Sequence, residues 1–228
     1  MTTRRLWLLL VVSACKAEPP PAPKYPSKYA VHGIDVSRHN GKIDWNAVAS
    51  AGVNFAWVKA SEGGDVRDPR FVGNATGAEA AHVRSGPYHF FTFCRPGSEQ
   101  AENFLGAITG TPRSLPIAVD VEFVGNCREP PAPNVIREQL NVWLEKVEGQ
   151  TGSRVVIYST PDAVTALLQG IDRPLWIRSI AREPADPWRF WQFDPSGRVP
   201  GIEGPVDLDV FRGAPAELES LLQPAGLR

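Results

Sequence analysis

Short apolar runs recur along this chain, each ending in polar or aromatic residues, and helix-patterned segments separate the earlier ones. The first run, Val31 to Ser37, carries Asp35 and precedes a short helix from Asp44 to Gly52, with an aspartate to cap it and a glycine to stop it. The second, Asn54 to Ala60, ends in Ser61-Glu62-Gly63-Gly64 and leads into a helix expected from Pro69 to Arg84. The third, Pro87 to Phe91, precedes a loop through Cys94 to Gly97 and a helix beginning near Ser98, with Glu99 and Gln100 in its first turn. A loop from Phe123 to Pro133 joins the fourth, Leu115 to Glu122, to the longest helix, Asn134 to Thr151. Arg154 to Ser159 and a helix from Pro161 to Gln169 complete the regular part. Then the pattern thins. Pro174 to Arg178, Arg189 to Phe193 and Pro205 to Phe211 are strand-like, with no room for full helices between the last ones, and a closing helix runs from Pro215 to Leu222.

Strands alternating with helices predict a parallel α/β sheet, and about eight of them predict closure. The expected fold is therefore α/β, an irregular (β/α) barrel of about five β/α units followed by about three strands with short connections, spanning residues 30–228. The alternative, an open doubly wound sheet, lacks its Gly-rich phosphate loop after the first strand. In such a barrel the active site lies at the carboxyl ends of the strands. Asp35, Glu62, His89, Asp120, Glu122, Tyr158, Arg178, Gln192 and Asp207 all fall there.

The fourth run carries the sharpest chemistry. Asp120 and Glu122 are two positions apart on a strand, so they share a face with backbones roughly 6.6 Å apart. That is the reach of paired glycosidase carboxylates, whether retaining or inverting. Two like charges so close resist joint ionisation, which leaves a proton to donate, and Glu122, further along the strand, is the expected donor. Taken alone, Asp-X-Glu is a weak motif that an exposed strand end or a structural cation would also explain.

The remaining composition narrows the field. With 43% hydrophobic residues in 228, the chain can bury one sizeable core. A formal net charge of -1 implies no basic surface for nucleic acid. Four histidines without a second spaced ligand make a metal site unexpected, and no Gly-X-Ser-X-Gly pattern points to acyl-enzyme chemistry. No cofactor is expected, and the domain is read as a monomer.

The N-terminus reads as a secretory signal over residues 1–14: Arg4 and Arg5, then the apolar run Leu6 to Val12, then small residues. Val12-Ser13-Ala14-Cys15 resembles the bacterial lipobox, which implies cleavage before Cys15 and lipid attachment there. Lys16 after it favours, by the same resemblance, the outer over the inner membrane. Residues 15–29 then form a Pro-rich tether able to hold the domain about 45 Å from its anchor. The expected location is the cell envelope. With Cys15 used, Cys94 and Cys127 remain as a pair in an oxidising compartment, on loops after neighbouring strands, and a disulfide is expected.

Seven short motifs in register give the chain a family likeness. Gly33-Ile-Asp-Val-Ser37, Lys59-Ala-Ser-Glu-Gly63, Tyr88-His-Phe90, Asp120-Val-Glu122, Tyr158-Ser159, Trp191-Gln-Phe193 and Val206-Asp-Leu-Asp209 resemble the motifs of glycoside hydrolase family 25. The resemblance spans Ala30 to Phe211. It implies an irregular barrel that hydrolyses the β-1,4 bond from N-acetylmuramic acid to N-acetylglucosamine in peptidoglycan, without metal or cofactor. By the same resemblance Glu122 is the general acid/base and Asp120 its partner, while Asp35 and Asp207 line the same acidic cleft. A route in which the sugar's own acetamido group attacks the anomeric carbon is implied for the family. Expected substrate contacts are Glu62, Tyr88, His89, Tyr158, Trp176, Trp191 and Gln192, although His89, Tyr88 and Tyr158 fit a core position as well. The chain departs from the family pattern at Asn40-Gly41, where Gln-Gly is common, at Ser61, where Thr is, and at Asp209, where Asn is. A glycan-binding lipoprotein on a decayed barrel is the alternative function, disfavoured by retention of all four acids. A metal-dependent deacetylase is disfavoured by the lack of a histidine cluster.

Overall fold

The computed structural model describes residues 22–221, except positions 181 and 186. Cys15 and the leader lie outside the described residues. Nine strands form one sheet: β1 (Val31–Val36), β2 (Phe55–Glu62), β3 (Val66–Arg67), β4 (Arg84–Phe90), β5 (Ala118–Val121), β6 (Val156–Ser159), β7 (Leu175–Arg178), β8 (Phe190–Gly197) and β9 (Val206–Phe211). Among the described residues six α-helices accompany them, α1 (Trp45–Ser50), α2 (Phe71–Ala80), α3 (Gly97–Ile108), α4 (Pro133–Thr151), α5 (Pro161–Leu167) and α6 (Pro215–Ser220), with one 3-10 turn at Arg38–Asn40. The strand order is β1-β9-β8-β7-β6-β5-β4-β2-β3, and a β1–β2 pairing closes the ring. The fold is the α/β barrel expected, with β3 outside the ring as a short extension of β2.

Its irregularity lies in β9, which runs antiparallel to both of its neighbours, β1 and β8, while the other ring pairings are parallel. Only a short link separates β8 from β9, and a short link joins antiparallel strands, since parallel ones need a long crossover. As a result β9 begins at the mouth where the other strands end. Its first residues, Val206 and Asp207, therefore join the carboxyl ends of its neighbours.

Local signals fix the helix ends. The Asp44 side chain accepts hydrogen bonds from the Asn46 and Ala47 amides and starts α1. Helix α4 opens with Pro133 and stops at Gly152, whose φ of 65° suits glycine. Its apolar stripe, Ile136, Leu140, Trp143, Leu144 and Val147, is buried at helical spacing. Helix α2 is shorter than its sequence pattern suggests: Arg84 pairs with Phe55 as the first residue of β4 rather than ending a helix.

Strand alternation divides the core into two layers. Outward residues pack under the helices. Inward ones fill the barrel with Phe55, Trp57, Tyr88, Tyr158, Trp176, Phe190 and Phe211. Trp57 and Trp176 stack with centroids 5.3 Å apart, worth about 1 kcal/mol beyond their burial. Gly33 makes room for this filling, because a Cβ there would sit 2.2 Å from the Phe55 ring. Moving up β1 the inward residues run Val31, Gly33, Asp35; down β9 they run Asp207, Asp209, Phe211. The interior thus changes from aromatic to acidic toward the mouth.

Two loops at that mouth are joined. Cys94, after β4, and Cys127, after β5, form the expected disulfide, with Cα atoms 6.2 Å apart. Asn126 reinforces it: its side chain accepts from the Phe93 amide at 2.8 Å and donates to the carbonyls of Phe91 and Glu122 at 2.9 and 3.0 Å. On the outer wall Tyr25 stacks on His32 and donates to the Gly33 carbonyl, while Tyr29 packs edge-on against Trp188 and Trp191. The segment expected to be free tether is seated on the barrel from Tyr25 onward.

Candidate active site

A cavity of about 440 Å³ opens at the carboxyl ends of the strands. Asp35 from β1, Asp120 from β5, Glu122 just beyond it and Asp207 from β9 all line it. Register places them. Asp35 faces Asp207 directly across the β1–β9 pair, and Asp120 lies level with Phe90 on one side and Tyr158 on the other. Of the expected substrate contacts, Glu62, Tyr88, Tyr158, Trp176 and Gln192 also line the cavity.

Hydrogen bonds stiffen the acidic wall. Tyr158 donates its hydroxyl to Gln192 Oε1 at 3.1 Å, which orients the amide so that Nε2 donates to Asp35 Oδ2 at 2.7 Å. Asp120 Oδ1 is buried and finds no hydrogen-bond donor among the described residues. Burial, then the charge of Glu122, hold Asp120 well above the usual carboxylate range, with Lys59 pulling the other way. Burial also raises Glu122, opposed by Arg178. Asp207 is pushed up to about 6 by burial, again against Arg178. Both carboxyls of the Asp120/Glu122 pair are thus shifted toward holding a proton. Burial acts more strongly on Asp120, the partner expected to be charged.

His89 and Trp191 lie elsewhere. His89 is fully buried on the outer face of β4, where the Ser61 hydroxyl bonds Nδ1 at 2.8 Å, Nε2 faces Gln100 Oε1 at 3.3 Å and the ring stacks on Trp143. Burial lowers its pKa to about 3, so it is a neutral core residue and makes no cavity contact. Trp191 points outward from β8, donates to the Ser179 carbonyl at 2.7 Å and packs with Trp188. Its expected role as a sugar-stacking residue is not supported by that position.

Lys59, Phe90 and Arg178 are cavity residues that the substrate assignments omit. Lys59 and Glu62 both reach the cavity although three positions apart, because β2 bulges between Lys59 and Ser61 and shifts the alternation by one. Their side chains pair at 2.7 Å. For Lys59 the signal was present: it follows Phe55 and Trp57 at the two-residue spacing of the inward face. Among the described residues no group of His, Cys, Asp and Glu is arranged to hold a metal ion.

Comparison with known proteins agrees with this geometry. The family model described as glycosyl hydrolases family 25 matches residues 34–202. The Escherichia coli (strain K12) protein YegX is 34% identical over 210 residues, covering 87% of this chain and 76% of its own. Lysozyme M1 of Streptomyces globisporus is 34% identical over 213 residues, covering 84% of this chain and 71% of its own. A solved family 25 glycosyl hydrolase from Bacillus anthracis superposes with a TM-score of 0.79 at 31% identity, covering 91% of this chain and 100% of that one. The family match ends before β9, and the structure adds Asp207 to the site. With barrel, acidic cavity and relatives in agreement, the chain belongs to glycosyl hydrolases family 25.

Proposed function

We propose that this protein is a muramidase that hydrolyses the β-1,4 bond between N-acetylmuramic acid and N-acetylglucosamine in peptidoglycan strands. The observation that carries the reading is the convergence of Asp35, Asp120, Glu122 and Asp207 on one cavity walled by Tyr88, Tyr158 and Trp176. Glycoside cleavage needs a proton for the leaving oxygen and negative charge beside an oxocarbenium-like carbon. Aromatic side chains supply the apolar surface that a sugar ring covers.

In this reading Glu122 protonates the oxygen leaving on N-acetylglucosamine as the bond to the anomeric carbon breaks. The acetamido carbonyl of N-acetylmuramic acid closes on that carbon, and the charge of Asp120 balances the cation formed. Water then attacks, giving its proton to Glu122 and restoring the acid. Bound glycan covers Glu122 and removes it from water, which raises its proton affinity. The developing cation meanwhile favours charge on Asp120. Substrate thus moves the shared proton to the donor.

We also read the chain as exported and held in the cell envelope by a lipid on Cys15, the outer membrane favoured, and active as a monomer. Val12 to Cys15 and the Pro-rich segment behind them support the export and the anchor.

The test is mass spectrometry of fragments released from defined peptidoglycan by the purified domain. Muramidase action leaves N-acetylmuramic acid at the new reducing ends. New ends on N-acetylglucosamine would overturn the bond assignment, and binding of strands without any new reducing end would favour the glycan-binding reading.

A further inference from the structure

A second, smaller hollow of about 280 Å³ lies beside the acidic cavity. Phe123 and Val124 wall it from the loop after β5, Ile180 from just past β7, and Asp162 from the first turn of α5. Val124 and Arg178 line both hollows, so the two meet at that pair of side chains. The apolar walls stand open to water, at 39% for Phe123, 69% for Val124 and 53% for Ile180. Apolar surface left exposed together at the rim of a cavity marks a place where something binds. The loop that carries it is braced: Phe123 packs edge-on against Phe93, and the Cys94–Cys127 bridge ties the loop to its neighbour.

Arg178 supplies the charge. The guanidinium groups of Arg154 and Arg173 pair with Asp172 and Glu148 on the far side of the barrel's helices. That of Arg178, half-buried at the end of β7, enters no ion pair among the described residues, and the cavity's other cation, Lys59, is held by Glu62. A guanidinium presents N–H donors in a planar fork that fits a carboxylate at two points. The junction of the two hollows is therefore built to take an anion, with apolar surface beyond it. In a peptidoglycan strand the sugars and their acetamido groups are neutral. Carboxylates occur only on the lactyl arm of N-acetylmuramic acid and on the peptide stem joined to it. An amide consumes the lactyl carboxyl where the stem is present, so the first free carboxylate belongs to the glutamate, one apolar alanine further on. The amine of a diamino acid follows, and Asp162 offers that hollow its one acidic side chain among the described residues.

We propose that this second hollow receives the peptide stem of N-acetylmuramic acid and that Arg178 binds the stem's first free carboxylate, making Arg178 a specificity-determining residue for strands that still carry their peptides. The catalytic consequence rests on the muramidase reading; the binding of the stem does not. A bare lactyl carboxylate would also meet a guanidinium, but it would leave Phe123 and Ile180 uncovered. Arg178 also acts through its charge on Glu122 and Asp207, so the test must separate stem recognition from that effect.

Two measurements on the full domain test this. In turnover, three strands are compared: one bearing its stems, one stripped to the lactyl carboxylate, and one stripped and capped there as a neutral amide. Wild type will favour the stem-bearing strand over the capped one by on the order of tenfold in kcat/KM, chiefly through KM, and Arg178→Gln will erase the preference. Arg178→Lys will keep part of it, and Ile180→Ser will lower it severalfold. An equal loss on all three strands in Arg178→Gln would show that Arg178 only tunes its neighbouring acids, and would overturn the proposal. A stripped strand as good as the stem-bearing one would move the contact to the lactyl carboxylate and overturn the stem assignment. In calorimetry, N-acetylmuramoyl-alanyl-glutamate will bind wild type about tenfold tighter than its fully amidated form, and Arg178→Gln will bind both alike. Absence of that difference overturns the proposal whether or not strands are cleaved. If it is present while no strand is cleaved, the muramidase reading fails and the stem site stands.

Discussion

Asp35 and Asp207, drawn from the first and last strands of the barrel, face each other directly across an antiparallel pair. Like charges in that position repel, and the fold keeps them together at a cost in stability. Asp207 binds its proton more tightly folded, at about 6, than at the usual 3.8. Its contribution is therefore fully present below pH 3.8, falls as pH rises, and is gone above about 6. Asp207→Asn will thus stabilise the protein relative to wild type above pH 6 and not at pH 3, by on the order of 2 kcal/mol after solvent screening. Urea unfolding at both pH values measures the difference, and an equal effect at both would refute it.

Removal of Glu122, the proposed proton donor, will give the largest kinetic effect. Glu122→Gln will lower kcat by about 10² to 10⁴-fold while glycan binding persists. Asp120→Asn will be severely impaired as well, and Asp35→Asn and Asp207→Asn less so. Turnover on peptidoglycan, with folding checked by circular dichroism, ranks the four variants. Wild-type turnover by Glu122→Gln would contradict the assignment.

The Cys94–Cys127 bridge anchors the loop that brings Val124 and Gly125 to the cavity. Replacing both cysteines by serine will cost about 2 to 4 kcal/mol in unfolding free energy and raise KM through a looser wall. Alkylation without reductant will label neither thiol in the intact domain.

His89 ties β2, β4 and α3 together from the outer face. A His89→Leu variant will leave the buried Ser61 hydroxyl without its partner and destabilise by about 1 to 3 kcal/mol. Its KM for peptidoglycan will stay at the wild-type value in the folded fraction. A selective rise in KM would return His89 to the substrate.

For the leader, Cys15→Ser or globomycin will leave an unprocessed precursor in cells. Normal processing and membrane fractionation of the variant would remove the lipid anchor from the picture.

How much of this was readable in advance follows from one rule and its exception. Period-two alternation placed Asp120 with Glu122 and, applied strictly, would have placed His89 and Trp191 as well. Tyr88 and Gln192 beside them face the cavity, so their sequence neighbours face the helices. Chemical type outweighed parity in those two assignments. Glu62 is the reverse case: its place depends on a bulge that no hydrophobic pattern announces. Asp209 was visible only as an unusual residue, because its burial depends on Trp176 arriving from a distant strand.

The reversed last strand also sets when the enzyme comes into being. Asp207 reaches Asp35 only after β9 has inserted between β1 and β8, the most distant pairing in sequence that the ring contains. Contacts of such separation form late, since the chain between them must be ordered first. Any N-terminal fragment that stops before β9, including a chain still being synthesised, lacks one wall of the cavity. The acidic wall of the cavity is thus completed last, when the final strand closes the ring.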